Sequence, residues 1–293
     1  MYNETVAEGW LRLALTPGMD MQSAHALLSE FGEPQNVLSL TTTKLSTLIP
    51  QPLASRLRHP DTQTRADIEQ ILSWLAISPN ARLITLADPD YPSRFLTVPE
   101  PPLAVLAMGN VDLLVGPTLS LTGSENPNQE GIQIAQSWAQ VLARKPISLV
   151  QGDAEGIERH ALIAALKSCP QHLVYVSKIS LSDPKIAQQS SFVANDGLAL
   201  SLVGFARDDE ALWRARHRLL AACCEYFVVV QAAARAKSLT LMREMADVNR
   251  TVMAVPGSIH SPLSKGCHQL IKQGARLVES VDDILFEINL NNI

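Results

Sequence analysis

The chain has 293 residues, a 46% hydrophobic fraction and a formal net charge of −5. That is material for a large core in one or two domains, and it argues against a protein that coats DNA by bulk charge. No run of roughly eighteen apolar residues is present, and the N-terminal "MYNETVAEGW" has neither a basic start nor an apolar stretch. Neither a membrane span nor a secretory leader is therefore expected. Cys169, Cys223, Cys224 and Cys267 form no Cys-x-x-Cys pair. They read as reduced thiols of a cytoplasmic protein, with no disulfide framework and no metal site.

Residues 1–80 carry apolar positions at spacings of three and four in "VAEGWLRLALTPG", "MQSAHALLSEFG" and "TRADIEQILSWLAIS", which predicts a helical N-terminal domain. Within it, "LTPGMDMQSAHALLSEFG" resembles a helix-hairpin-helix, in which a glycine turn offers N–H groups to a DNA phosphate; Asp20 replaces its second glycine. The alternative is a plain helical turn. Residues 81–102, rich in Pro and Asp, predict an extended connector.

From residue 103 to 293 the pattern changes to short apolar runs: "LAVLAM", "LSLTG", "ISLVQG", "LVYVS", "LALSLVG", "YFVVVQA" and "TVMAVPG". Helical stretches are predicted at 129–143, 155–168, 209–222, 239–249 and 265–273. Runs that are apolar throughout indicate strands buried on both faces, and the alternation with helices predicts an α/β fold with a doubly wound, mostly parallel sheet. Ligands of such sheets bind beyond the carboxyl ends of the strands. The loops expected there are Gly123-Ser124-Glu125, 151–156 ("QGDAEG"), 231–238 ("QAAARAKS") and Pro256-Gly257-Ser258.

None of these loops is a Walker loop or a Gly-x-Gly-x-x-Gly run, so nucleotide hydrolysis and ordinary dinucleotide binding are not expected. Ser124 and Ser238 sit in no nucleophile elbow, His160, His217, His260 and His268 are scattered, and Asp153 and Glu155 read as helix-start residues. No catalytic residues and no cofactor are predicted. Charge is uneven, however: residues 205–280 hold 11 Lys/Arg against 7 Asp/Glu, a net of +4 that leaves −9 elsewhere. The strongest cluster is "LWRARHRLLAACC". On a helix Arg214 and Arg218 share one side, Arg216 projects elsewhere, and Trp213 is placed to stack on a base while the arginines neutralise phosphates. The alternative is that Trp213 covers the core and the arginines pair with Asp208, Asp209 and Glu210.

Taken together, "WLRLALTPG…LLSEFG", "DPDYPSRFLTVPEPPLAVLAMGNVDLL" and "AVPGSIHSPLSKGCHQLIKQGARLVESVDDIL" resemble the DNA-processing protein A family (DprA, also called Smf) along nearly the whole chain. Pro256, Gly257, Gly266, Cys267, Leu270, Ile271, Gly274 and Ala275 fall on the family pattern. The resemblance implies an extended Rossmann-like domain after a helical one. It also implies a non-enzymatic recombination mediator that binds single-stranded DNA, forms a homodimer and delivers the DNA to RecA in natural transformation. The winged-helix module of some members is expected to be absent. The chain departs from the family at several positions. Gly-Ser-Arg reads Gly123-Ser124-Glu125, a histidine falls on Leu162, Arg-Asn-Arg reads Arg216-His217-Arg218, Ser-Gly-Ser-Leu reads "AKSL" with Lys237, and a glutamate falls on Leu202.

Arg214, Arg216, Arg218 and Lys237 are thus the expected phosphate contacts, with Trp213 for stacking. Gly123, Ser124, Gly152 and Ser238 are expected to line an anion pocket altered by Glu125, and Leu270, Ile271 and Leu277 to form the dimer surface. Two other readings compete: a small-nucleotide sensor or hydrolase of Rossmann type, and a scaffold paralogue that no longer binds DNA.

Overall fold

A computed structural model describes residues 4–78, 80–99, 101–152, 154–176, 196–203 and 209–290, with backbone alone for 209–215 and 289–290. The N-terminal segment forms α1 (Glu4–Leu15), α2 (Met21–Phe31), α3 (Pro34–Ser39), α4 (Thr42–Leu45), α5 (Gln51–Arg58) and α6 (Thr62–Ile77). Gly18 turns the chain between α1 and α2 at φ 84°. Asp20 then caps α2, its carboxylate accepting from Ser23 N–H at 2.7 Å. That bond holds the Asp20 carboxyl below its ordinary range. The turn therefore already has an anion, its own, where a hairpin of the DNA-binding kind would seat a phosphate.

The sheet contains β1 (Ala81–Thr85), β2 (Ala104–Gly109), β3 (Thr118–Thr122), β4 (Ser148–Gln151), β5 (Leu173–Val176), β6 (Leu198–Leu202), β7 (Tyr226–Val229), β8 (Thr251–Ala254) and β9 (Arg276–Leu277). Among the described residues their order is β1-β2-β6-β5-β4-β3-β7-β8-β9. β2 runs antiparallel to both β1 and β6, and every other pairing is parallel. The order reverses direction between β3 and β7, so the doubly wound prediction is met and the switch point lies there. The segment read as an extended connector supplies β1. That strand and β9 lie at the sheet's two edges.

The helices are α7 (Gln129–Leu142), α8 (Ile157–Ser168), α9 (Asp209–Cys223), α10 (Lys237–Asp247), α11 (Lys265–Lys272) and α12 (Val281–Leu290). α7, α8 and α12 cover one face, sharing a core with Leu119, Leu121, Leu149 and Val228. α9, α10 and α11 cover the other, over Val150, Val174, Phe227 and Val229. Leu11 and Leu15 of α1 and Ile68, Ile71 and Trp74 of α6 belong to the first of these cores. The smaller helices surround a separate cluster built on Leu13, Leu27, Val37, Leu53 and Leu57. Burial pushes the Cys223 and Cys224 thiols well up, and that of Cys267 up to about 11. All four cysteines are free.

At the amino edge of the sheet two arginines act as clamps. Arg94 donates to the carbonyls of Cys223 at 3.1 Å and Gly116 at 2.7 Å and to Thr118 Oγ1, and faces Glu225 at 3.6 Å. Arg250 donates to the Ala221 carbonyl at 3.1 Å and to Thr97 Oγ1 at 2.7 Å. Burial lowers the Arg250 pKa from its usual value. Phe95, between these contacts in sequence, is fully buried and meets Tyr91 edge-on at 5.4 Å. The motif "DPDYPSRF" is thus a fastening that ties residues 88–97 to the carboxyl end of α9.

Among the described residues no helix is long and apolar enough to cross a membrane.

Candidate nucleic-acid interface

Three loops meet at the carboxyl edge around the switch point. β3 ends in Gly123-Ser124, and the Ser124 N–H donates to the Gln231 carbonyl beyond β7 at 2.6 Å. The Ser124 carbonyl accepts from Ile157 N–H, at the start of α8, at 3.1 Å. Neither contact survives a side chain on the flanking glycines. A Cβ at Gly123 would sit 2.5 Å from the Gln231 carbonyl oxygen, and one at Gly156, which has φ 76°, 2.2 Å from the Ser124 oxygen. The Ser124 hydroxyl accepts from Asn126 N–H at 3.1 Å. The loop expected to aim its amides at an anion is therefore stitched to its neighbours, and Glu125 beside it is exposed.

The N-terminus of α7 is filled as well. Asn128 caps it, accepting from Gly131 N–H at 3.0 Å. Gln231 closes over the cap, its Nε2 donating to Asn128 Oδ1 at 2.7 Å and its Oε1 accepting from Asn128 N–H at 3.2 Å. A Cβ at Gly131 would lie 2.3 Å from Gln231 Oε1. Doubly wound folds seat a pyrophosphate at this helix end; here a carboxamide of the chain occupies it. The geometry gives the small-nucleotide reading no seat at this position.

Between β3 and β4 the register pairs Thr118 with Ser148 and Leu119 with Leu149. Further along, the buried Gln151 amide stands in for the ladder, donating to the Leu121 carbonyl at 3.0 Å and accepting from Leu121 N–H at 2.9 Å. Gly152 follows. Glu158 of α8 reaches past it, and its Oε1 accepts from Thr122 Oγ1 at 2.8 Å. Glu158 Oε2 faces Arg216 Nη1 of α9 at 3.7 Å, with the two side chains 6% and 12% exposed.

The structure thus brings Gly123, Ser124 and Gly152 to one edge, but it turns Arg216 inward onto a carboxylate. Arg218 and Lys237 are exposed, as is Arg235. Lys237 opens α10, whose N-cap, Ala236, supplies no side-chain bond, and the buried Ser238 Oγ has no hydrogen-bond partner among the described residues. Trp213 and Arg214 lie on α9, but their side chains fall outside the described residues, as do those of Asp208, Asp209 and Glu210; Asp153 also lies outside. Of the expected dimer surface, Leu270 is 3% exposed within the chain's own core, so little of it remains for a partner. Ile271 is half-buried, and Leu277 on β9 is 49% exposed. Sequence reasoning placed Gln231 in an edge loop without a role for it, and missed Glu158 and Asn128. Asn128 alone had a local signal, a capping residue just before a predicted helix.

No cluster of metal-binding side chains occurs among the described residues. The architecture is that of a doubly wound α/β protein whose nucleotide seat at α7 is closed and which exposes Arg218, Arg235 and Lys237, among other cations, on or beside α9 and α10. A family model described as DNA recombination-mediator protein A matches residues 82–289. The chain is 31% identical over 206 residues to DNA processing protein DprA of Streptococcus pneumoniae, covering 69% of this chain and 73% of that protein. It is 30% identical over 226 residues to Protein Smf of Escherichia coli, covering 75% and 60%. The X-ray structure of the Streptococcus pneumoniae protein superposes with a TM-score of 0.73 at 26% identity, over 98% of both chains. DNA processing protein A of Helicobacter pylori, described for its single-stranded DNA binding mode, superposes with a TM-score of 0.58 at 20% identity, over 72% of this chain and 97% of that one. The chain belongs to the DNA recombination-mediator protein A (DprA/Smf) family.

Proposed function

We propose that this chain is a non-enzymatic mediator that binds single-stranded DNA and passes it to RecA during natural transformation, acting as a homodimer. The observation that carries the reading is the exposure of Arg218 and Lys237 on the α9–α10 side of the sheet, in a chain that aligns with DNA-processing proteins over most of its length. Lys237 stands at an uncapped helix N-terminus, where backbone N–H groups and the helix dipole both favour a phosphate. The Ser238 hydroxyl, buried beside it, is a donor of the right kind. In this reading Trp213 and Arg214, on the same helix as Arg218, are further contacts to the strand. The half-exposed Leu277 on the edge strand β9 and the half-buried Ile271 on α11 are the apolar positions that support a dimer made by that edge.

Fluorescence anisotropy of a labelled single strand of roughly thirty nucleotides, titrated at several salt concentrations, tests the proposal. Binding should weaken with salt, and Lys237→Ala and Arg218→Ala should each flatten the log–log slope by about 0.7, the value for one phosphate contact on a single strand. RecA filament formation on the same strand should speed up in the presence of wild type and less so with the double variant. A folded wild type that shifts no DNA at low salt would sink the reading and leave the scaffold alternative.

A further inference from the structure

Glu158 belongs to α8, on one face of the sheet, yet its carboxylate ends against α9, on the other. It crosses at the carboxyl end of β4, where residue 152 is glycine. A Cβ there would lie 2.7 Å from Glu158 Oε2 and 3.4 Å from Arg216 Nη1, so the bare backbone leaves the passage open. Thr122 Oγ1 donates to one oxygen of the crossing carboxylate, Oε1, while the buried Oε2 faces Arg216 as an ion pair at 3.7 Å, longer than a hydrogen bond. The second guanidinium nitrogen of Arg216 lies 3.3 Å from His217 Nε2. A guanidinium can only donate, so the imidazole nitrogen is the acceptor. His217 is itself 5% exposed. Arg216 is thus oriented from two sides, and at this burial salt screens the ion pair only weakly.

We propose that Glu158 is an internal counter-ion that withholds Arg216 from DNA, so that α9 presents one phosphate-binding cation fewer than its sequence contains. This rests on the single-strand reading above. A phosphate reaching Arg216 has to displace a carboxylate that the chain holds beside it, and a tethered group competes at a high effective concentration. Glu158 acts through Arg216 and is a positioning residue, not a DNA contact.

The test is the salt dependence of single-strand binding in wild type, Arg216→Ala, Glu158→Gln and the double variant. Glutamine keeps an oxygen for Thr122 and removes the charge. Arg216→Ala is expected to leave the log–log slope of wild type unchanged, because its cation is already neutralised. Glu158→Gln should steepen the slope by about 0.7, one more phosphate on a single strand, and tighten binding. Arg216→Ala in the Glu158→Gln background should return the slope to the wild-type value. A purely structural ion pair would lower thermal stability in all three variants and move no slope. A flatter slope for Arg216→Ala in the wild-type background, or an unchanged slope for Glu158→Gln, would overturn the proposal while leaving DNA binding intact. Absence of binding by all four proteins would overturn the single-strand reading and this proposal with it. Melting curves confirm that each variant folds. Glu158→Ala, which also removes the carboxylate, serves as the second variant if the glutamine does not fold, and should steepen the slope in the same direction.

Discussion

The two edges of the parallel sheet treat arginine in opposite ways. At the amino edge, Arg94 and Arg250 are wrapped in carbonyl oxygens, among them those of Ala221 and Cys223 at the end of α9. At the carboxyl edge, Lys237 stands exposed at the start of α10, and Arg216 is turned onto Glu158. The backbone explains the contrast. Helices following parallel strands end near the amino edge, so spare C=O groups gather there, whereas spare N–H groups gather where the helices begin. A cation at the first edge finds neutral acceptors and becomes structural. At the second edge the helix starts offer it donors, and a strong acceptor for it is an anion, supplied by the chain, as Glu158 is for Arg216, or brought from outside.

The largest effect that tests this contrast is expected from Arg94→Ala. It removes the donor to three carbonyls and to Thr118, together with the ion pair to the part-exposed Glu225, and of these acceptors it leaves the Cys223 carbonyl and the Thr118 hydroxyl buried. A loss of about 3–5 kcal/mol in urea unfolding should follow, with an unaltered DNA salt slope in the fraction that stays folded. A loss comparable to that of an exposed arginine would break the comparison. Next comes Glu125→Arg at the opposite edge. Exchanging an exposed negative charge for a positive one should raise single-strand affinity about tenfold, or about 1.4 kcal/mol, and change urea stability little. Unchanged affinity would mean that the strand does not pass this loop.

The smallest effect concerns a helix start that already holds an anion. Asp20→Ala should cost about 1 kcal/mol through loss of the α2 cap, and Asp20→Asn should restore most of it. The Ser23 N–H keeps the Asp20 carboxyl below its ordinary value, so its contribution is complete above the usual carboxylate range and fades as pH falls through the depressed one. The asparagine variant should lack that part of the acid limb in a pH series of melting temperatures.

What the sequence disclosed about the fold follows the physics of burial. Strands covered on both faces, such as β2 and β7, are apolar throughout and are plain as runs. β9 is two exposed residues, and β1 is only partly buried beside a Pro/Asp-rich stretch, so neither gives a continuous apolar signal. α12 had a readable start that went unused. Ser280 and Asp283 cap each other reciprocally, Asp283 N–H donating to Ser280 Oγ at 3.1 Å and Ser280 N–H to Asp283 Oδ2 at 2.9 Å. The site was less legible because its decisive contacts join distant residues. Glu158 meets Arg216, and Gln231 meets Asn128, only after sheet order and register bring them together, and neither pair has a local spacing to betray it. On sequence alone Arg216 is therefore either a phosphate contact or a partner of Asp208, Asp209 or Glu210, and Glu158 does not enter.

The shared core of α1, α6 and β2 carries a further consequence. Leu11, Leu15, Ile71 and Trp74 lie against the same apolar layer as Leu106 and Met108 of the sheet. Removing residues 1–80 would uncover that layer along β2, so the truncated chain should aggregate instead of refolding as a smaller protein. Heat or urea should melt the helical segment and the sheet in a single cooperative step. A protease cutting near residue 80 should find its access controlled by global unfolding and not by a swinging linker.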